Sequence, residues 1–151
     1  MISLKPVFDD RYLVLMMAWR SNPLVYEGFY SQTKPLTWDE HIQFWNSRPS
    51  SWRAFIIFYE DRPVGLVTIG QLEHWSPEIG YYIGETTLWG KGIGKETVEE
   101  AVRYIKKTHG KEYCHTTVKK DNERSIRLLK SLGFEYTSEA RKNEIWMSRK
   151  L

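Results

Sequence analysis

Three glycines at alternate positions, Gly90, Gly92 and Gly94, stand between a strand-like segment and a strongly helical one. Residues without side chains let the backbone turn tightly, so that successive amide N–H groups can point into one space. Those groups bind anions when they lie at the positive end of a helix dipole. The spacing therefore predicts a site for the phosphate groups of a ligand at this turn.

The same spacing excludes two common nucleotide-binding loops. A P-loop requires Gly, four residues and then Gly-Lys-Ser/Thr, but Glu96 follows Gly94-Lys95, and Trp89 stands where the first glycine belongs. A dinucleotide-binding loop requires G-x-G-x-x-G, and the third glycine is replaced by Lys95 or Thr97, depending on the starting position. What remains is a G-x-G-x-G turn at the start of a helix.

A second segment, Asn122 to Phe134, reads N-x-x-S-x-x-L-x-x-x-L-G-F. The two segments together resemble the GNAT superfamily of N-acetyltransferases, in which the CoA pyrophosphate loop reads Arg/Gln-x-x-Gly-x-Gly/Ala. Trp89 stands at the Arg/Gln position, as in the branch similar to the ribosomal-protein alanine acetyltransferases (RimJ/RimL-like). The leucines and Gly133 also fit an amphipathic helix with an ordinary C-terminal glycine. The resemblance further implies that Asn122 and Ser125 lie beside the cofactor.

The remaining pattern predicts the elements that position these segments. Asp9 or Asp10 begins a helix that ends before Pro23, and Thr37 and Glu40 have the spacing of a capping box. We predict one acetyltransferase domain, 1–151, of α/β (α+β) class, with a mixed central sheet of six to seven strands and about four helices. The resemblance implies that the central parallel strands splay apart. Strands are expected at 2–7, 53–59, 63–69, 78–83, 112–118, 134–136 and 144–149, and helices at 9–19, 38–47, 93–108 and 122–132.

Composition narrows the class of protein. The net charge of +3 and the interspersed charges in 151 residues indicate no nucleic-acid partner. No apolar run approaches the roughly 18 residues needed to cross a bilayer, so that a cytoplasmic location without a membrane partner is expected. The single cysteine, Cys114, excludes an internal disulfide and a multi-cysteine zinc site, and no metal is expected.

The resemblance implies acetyl-CoA as cosubstrate. An amide near Tyr82, Ile83 or Gly84 would meet the thioester oxygen. The residues expected to bind the cofactor are Ile83, Trp89, Gly90, Lys91, Gly92, Ile93, Gly94, Lys95, Asn122 and Ser125.

Three residues are candidates for catalysis. Glu78 stands where relatives carry a general base, and partial burial is expected to raise its pKa towards neutrality; a surface charge at a strand end is the alternative. Ser125 is the candidate acid, because the tyrosine of many family members is replaced by Leu129. Tyr82 is the third candidate, although Tyr81 and Tyr82 alternate across the strand, so that at most one faces the cleft. Glu27, Glu73 and His74 are further candidates for the base, whereas His41 and His115 are expected to be structural or exposed.

Aromatic residues crowd the first third of the chain, which indicates either core packing or a cleft for a sugar, nucleobase or peptide. The acceptor is expected to be a small amine or an amino-sugar nucleotide, with a peptide N-terminus as an alternative. An acetyl-CoA sensor without turnover and a transferase for longer acyl groups also remain open, as does a homodimer. Candidate residues for substrate binding are Trp19, Tyr26, Phe29 and Tyr30.

Overall fold

The computed structural model describes residues 1–7, 9–29 and 32–151. Within these ranges the strands and helices alternate in the order expected of a mixed α/β layer. In chain order they are β1 Ile2–Pro6, α1 Asp10–Arg20, α2 Pro23–Tyr26, α3 Trp38–Asn46, β2 Arg53–Tyr59, β3 Arg62–Gly70, β4 Glu78–Ile83, a 3₁₀ turn Thr86–Leu88, α4 Ile93–His109, β5 Tyr113–Lys119, α5 Glu123–Ser131, β6 Glu135–Glu139 and β7 Glu144–Lys150.

The strands of the described residues form one seven-stranded sheet in the order β1-β2-β3-β4-β5-β7-β6. Neighbouring strands are antiparallel except for β4 and β5, which are parallel. In the described part of the chain these two strands share one register pair, Glu78 with His115, and the His115 amide donates to the Pro77 carbonyl at 3.0 Å. Beyond this pair they separate, so the predicted mixed sheet with splayed parallel strands is confirmed.

Helices cover both faces of the sheet, because successive side chains of a strand point to opposite faces and both sets are apolar. On β2, Ile57 packs in one core cluster with Ile105 of α4 and Leu129 of α5. Its neighbour Ile56 packs on the other face with Met16 of α1. Because both faces are buried, the central strands consist of nearly continuous apolar residues. The same packing fixes which helices lie on each side of the β4–β5 gap.

Local sequence signals account for most helix ends. Thr37 and Glu40 form the predicted capping box at the start of α3. The short helix α2 is not among the predicted helices. It forms because Pro23 occupies the first helical turn and the Asn22 side chain accepts a hydrogen bond from the Leu24 amide at 3.0 Å.

No helix in residues 1–7, 9–29 and 32–151 has the length and apolar character needed to span a membrane. Over the same residues, His, Cys, Asp and Glu side chains form no group of three or more that could hold a metal ion.

Candidate active site

The amides of the glycine turn have no acceptor among the residues that the structure describes. The φ angle is +84° at Gly90 and +81° at Gly92, and a Cβ at either residue would meet nothing within 4 Å. The first backbone bond of α4 joins the Glu96 amide to the Gly92 carbonyl at 3.1 Å. For the amides of 90–95, no acceptor lies in the described part of the chain. Free amides, open space and a helix N-terminus fit the pyrophosphate of CoA.

A cavity of about 740 Å³ opens on this turn. Each predicted cofactor-binding residue except the exposed Lys91 lines it, and Lys95, Lys119 and Arg124 add positive charge. Trp89 replaces the family's Arg or Gln, and its indole N–H donates to the Ile83 carbonyl at 2.9 Å. The Arg124 guanidinium lies 5.1 Å from the centroid of the Trp89 ring. Trp89 therefore joins the turn to the end of β4 and positions a cation beside it.

A second cavity, of about 440 Å³, lies on the other side of the β4–β5 gap. Its lining includes Glu78 and Thr117, one from each of the separating strands. The two cavities meet where the strands diverge. The residues that line both are Gly28, Phe29, Tyr81, Tyr82, Asn122 and Ser125.

Glu78 is held in the second cavity by the neighbouring strand. The Thr117 hydroxyl donates to Glu78 Oε2 at 2.6 Å, and His115 Nε2 lies 3.6 Å from the same oxygen. On its other side, His115 Nδ1 lies 3.2 Å from the buried Ser76 hydroxyl. His115, which the sequence indicated as structural or exposed, thus contacts the predicted base. The pairing of β4 with β5 brings Glu78 and His115 together. A prediction of that strand pairing from the sequence would have indicated this contact.

The pKa of Glu78 is lowered, not raised towards neutrality as the sequence predicted. Burial does raise it, but hydrogen bonds from His115 and Thr117 and the charges of His115 and Arg141 outweigh burial. The side chain is 27% exposed, which limits the effect of burial. Glu78 is therefore a carboxylate at neutral pH.

Ser125 and Tyr81 form the opposite wall of the junction. Asn122 caps α5 by accepting a hydrogen bond from the Ser125 amide at 3.2 Å. Burial raises the pKa of Tyr81, while a hydrogen bond with the Ser125 side chain and the charge of Arg124 offset part of that effect. The Tyr81 hydroxyl therefore stays protonated at neutral pH, next to the predicted acid.

Tyr82 points to the other face of the sheet. Its ring contacts Phe29 at 5.1 Å and Trp19 at 6.1 Å between centroids. Its buried hydroxyl has no hydrogen-bond partner among the described residues, and burial raises the pKa of this hydroxyl strongly. The ring lines both cavities, so Tyr82 forms their shared wall.

The predicted substrate-binding aromatics do not converge. Phe29 lines both cavities, whereas the half-buried Tyr26 lines neither, and Tyr30 lies outside the described residues. Trp19 requires a correction, because it is 4% exposed and lines neither cavity. Its indole donates to Glu85 Oε1 at 2.9 Å, and a Cβ added to Gly84 would lie 2.1 Å from its ring. Trp19 is a core residue that packs against the end of β4.

Side chains outside the candidate substrate-binding residues form the wall of the second cavity, and two of them, Trp45 and Trp52, belong to the aromatic residues that crowd the first third of the chain. They come from α1, from α3 and from the segment before β2, and no local pattern indicates that these three parts meet. They are Arg20, Phe44, Trp45, Arg48 and Trp52.

Known proteins are similar to this chain in sequence. The family profile described as "Acetyltransferase (GNAT) domain" matches residues 2–135. The uncharacterized protein MJ1062 of Methanocaldococcus jannaschii is 44% identical over 138 residues, which cover 89% of this chain and 28% of that protein. Acetyltransferase PseH of Campylobacter jejuni is 24% identical over 128 residues, covering 83% of this chain and 78% of that protein. The chain thus spans about a quarter of the length of MJ1062.

Solved structures agree. A domain from Methanocaldococcus jannaschii superposes with a TM-score of 0.92 at 41% identity, covering 100% of this chain and 99% of that one. The spermidine N-acetyltransferase of Vibrio cholerae, in complex with CoA and spermine, shares the fold, with a TM-score of 0.86 at 16% identity over 99% of this chain and 95% of that one. The chain therefore belongs to the GNAT acetyltransferase domain family, the family of acetyl-CoA-dependent N-acetyltransferases that its glycine turn and its Asn122–Phe134 segment indicate.

Proposed function

We propose that this domain moves an acetyl group from acetyl-CoA to the primary amine of a small acceptor, an amino-sugar nucleotide included, by direct transfer in a ternary complex. One observation carries the proposal. The cavity on the glycine turn and the cavity around Glu78 meet at the same six side chains and backbone segments, where β4 and β5 separate. A donor in the first cavity and an acceptor in the second would therefore place their reacting ends side by side.

The backbone of β4 supplies the polarising donor in this proposal. The Gly84 amide donates to the Val64 carbonyl on β3 at 2.7 Å. Successive amides of a strand point to opposite sides, so the Ile83 amide faces the gap towards β5. A donor at that position can bind the carbonyl oxygen of the acyl group as negative charge develops on it. Bound acetyl-CoA supplies the activated thioester.

Glu78 and Ser125 stand on opposite sides of the junction and divide the proton transfers between them. As the amine nitrogen bonds to the acetyl carbon and the carbon–sulfur bond breaks, Glu78 accepts the proton from the nitrogen. Ser125 gives its hydroxyl proton to the departing sulfur and takes a replacement from the hydroxyl of Tyr81, with which it is hydrogen-bonded. Tyr82 excludes water with its ring from the side of α1.

A thiol-release assay tests this function. The protein is mixed with acetyl-CoA and with amines of three kinds: free amino sugars and polyamines, nucleotide-linked amino sugars, and peptides with free N-termini. Release of CoA together with an acetylated small amine is the expected result. If peptides are acetylated with a higher kcat/KM than the small amines, the acceptor is a peptide N-terminus and not a small amine. If the protein binds CoA but acetylates none of these amines, the proposed enzymatic function is wrong, and the protein is a sensor of acetyl-CoA.

A further inference from the structure

Arg20 and Arg48 lie on the wall of the cavity that contains Glu78, beside the aromatic side chains. The Arg48 guanidinium lies 4.0 Å from the centroid of the Phe44 ring and 5.8 Å from that of Trp52. The Arg20 guanidinium lies 5.0 Å from the same Phe44 ring. Phe44 is therefore shared by two cations, which is an arrangement that holds both guanidinium groups in place.

Neither arginine has a carboxylate partner. Among the described residues, no Asp or Glu lies within ion-pair distance of Arg20 or Arg48. The pKa of Arg20 is lowered by burial, and the nearby charge of Arg48 acts in the same direction. A half-buried cation beside another cation is unfavourable until an anion joins them.

Among the described residues, Arg20 donates through Nε, and its two outer nitrogens have no acceptor. Arg20 Nε donates to Gln32 Oε1 at 3.2 Å, and Gln32 Nε2 donates back to the Arg20 carbonyl at 2.7 Å. Gln32 is itself 5% exposed, so this clamp is part of the core. The two Nη groups form the fork that binds phosphate or carboxylate through two parallel hydrogen bonds.

From these contacts we propose that Arg20 and Arg48 bind an oxyanion on the acceptor, at the opposite end from its reacting amine. This inference rests on the proposed function, because it assigns the acceptor of the same cavity. Glu78 would attract the ammonium end and the two arginines the anionic end. The cavity thereby selects amines that carry a phosphate or carboxylate and disfavours polycations such as spermine, which would bring positive charge to two arginines that no carboxylate of the described residues neutralises.

Matched acceptors test the selectivity. Glucosamine and glucosamine 6-phosphate carry the same amine with and without a phosphate, and muramic acid carries a carboxylate instead. We expect kcat/KM to be higher by about tenfold or more for the anionic sugars than for glucosamine, as a charge-assisted hydrogen bond implies. The ratio between the two anionic sugars distinguishes phosphate from carboxylate. Equal kcat/KM for all three, or a preference for spermine, would overturn the proposal.

Substitutions assign the effect to the two side chains. Arg20→Gln and Arg48→Gln should lower kcat/KM for the preferred anionic sugar about ten- to a hundredfold and leave glucosamine within about twofold. Arg62→Gln is the control, because Arg62 is exposed on β3 and lines neither cavity. An equal loss for charged and uncharged sugars would show that the arginines only support the fold.

Binding of inorganic pyrophosphate separates this inference from the proposed reaction. The glycine turn is first saturated with CoA, and pyrophosphate is then titrated by calorimetry. We expect pyrophosphate to bind the wild type and to bind the Arg20→Gln or Arg48→Gln variant at least about tenfold more weakly. This result supports the anion site even where no amine is acetylated. Binding that neither substitution weakens, or no binding at all, would contradict it.

Discussion

Glu78 serves both the sheet and the cavity. It is the residue through which β4 pairs with β5, and its carboxylate faces the acceptor side of the gap. Because its pKa is lowered, it attracts a protonated amine at neutral pH but retains a captured proton poorly. His115 Nε2 lies 3.6 Å from the carboxylate, and its charge contributes to the lowered pKa of Glu78.

Glu78→Gln should lower kcat by about a hundredfold or more, which is the usual contribution of a positioned acid or base. The KM for acetyl-CoA should stay the same, because Glu78 does not line the cofactor cavity. The ratio of wild-type to variant kcat should also be constant between about pH 6 and pH 8, since a carboxylate with a lowered pKa is already deprotonated there. Steady-state kinetics across this range measure both quantities.

Glu73→Gln provides the comparison, because Glu73 lies exposed on the same cavity and is the alternative base. A larger loss for Glu73→Gln would transfer the role to Glu73. A wild-type to Glu78→Gln ratio that rises as pH increases through neutrality would show that the pKa is raised instead. An unchanged kcat at pH 7 would remove Glu78 from the reaction.

The sequence identified this carboxylate but not its ionisation. Glu78 could be found through the resemblance, because it opens the Glu-Ile-Gly-Tyr-Tyr-Ile strand where relatives carry a general base. The hydrogen bonds that lower its pKa come from His115 and Thr117 on β5, and Thr117 lies 39 residues further along the chain. Partners on another strand depend on tertiary pairing, and no local pattern gives their distance.

Helices with strong end signals were predictable to within a few residues. Helix α3 begins at its capping box, and α4 lies between glycines with left-handed backbone, Gly92 and Gly110. The acceptor wall could not be predicted, because periodicity shows which face of α1 or α3 is apolar but not which helix leans over the gap. Arg20 and Phe44 are half-buried and Arg48 is exposed, and their meeting depends on that packing.

The two ends of α4 allow a matched test of the glycine turn. Gly92→Ala should weaken CoA binding about tenfold or more, because a Cβ disfavours the left-handed φ of +81° and enters the space of the phosphates. Gly110→Ala is the control: φ is +61° and the space around its Cβ is equally open, but it lies at the far end of the helix.

Both substitutions should lower the free energy of unfolding by about 1–2 kcal/mol, since each places a Cβ in the left-handed region. CoA titration by calorimetry and thermal unfolding measure the two effects. Equal CoA affinities for both variants would contradict the assignment of the turn to the pyrophosphate.

At the scale of the whole molecule, the gap between β4 and β5 divides the sheet into β1–β4 and β5–β7. Contacts across it include the Glu78–His115 pair, the Thr117–Glu78 hydrogen bond and a bond from Lys119, whose ammonium donates to the Glu27 carbonyl at 2.8 Å. Lys119 thus ties the end of β5 to the segment that carries Phe29. A ligand seated in the gap would add contacts to both halves, so ligand binding and stability should be coupled.

CoA at a hundred times its Kd should therefore raise the Tm by about 5–10 °C, since such a concentration adds about 2.7 kcal/mol to a domain of this size. Pantetheine is the informative comparison, because it has the thiol arm of CoA but no phosphates for the glycine turn. At the same concentration it should raise the Tm by a small fraction of that amount. Differential scanning fluorimetry measures both shifts. Equal shifts from the two compounds would mean that the thiol arm alone binds the gap, and that the unpartnered amides of residues 90–95 hold no phosphate.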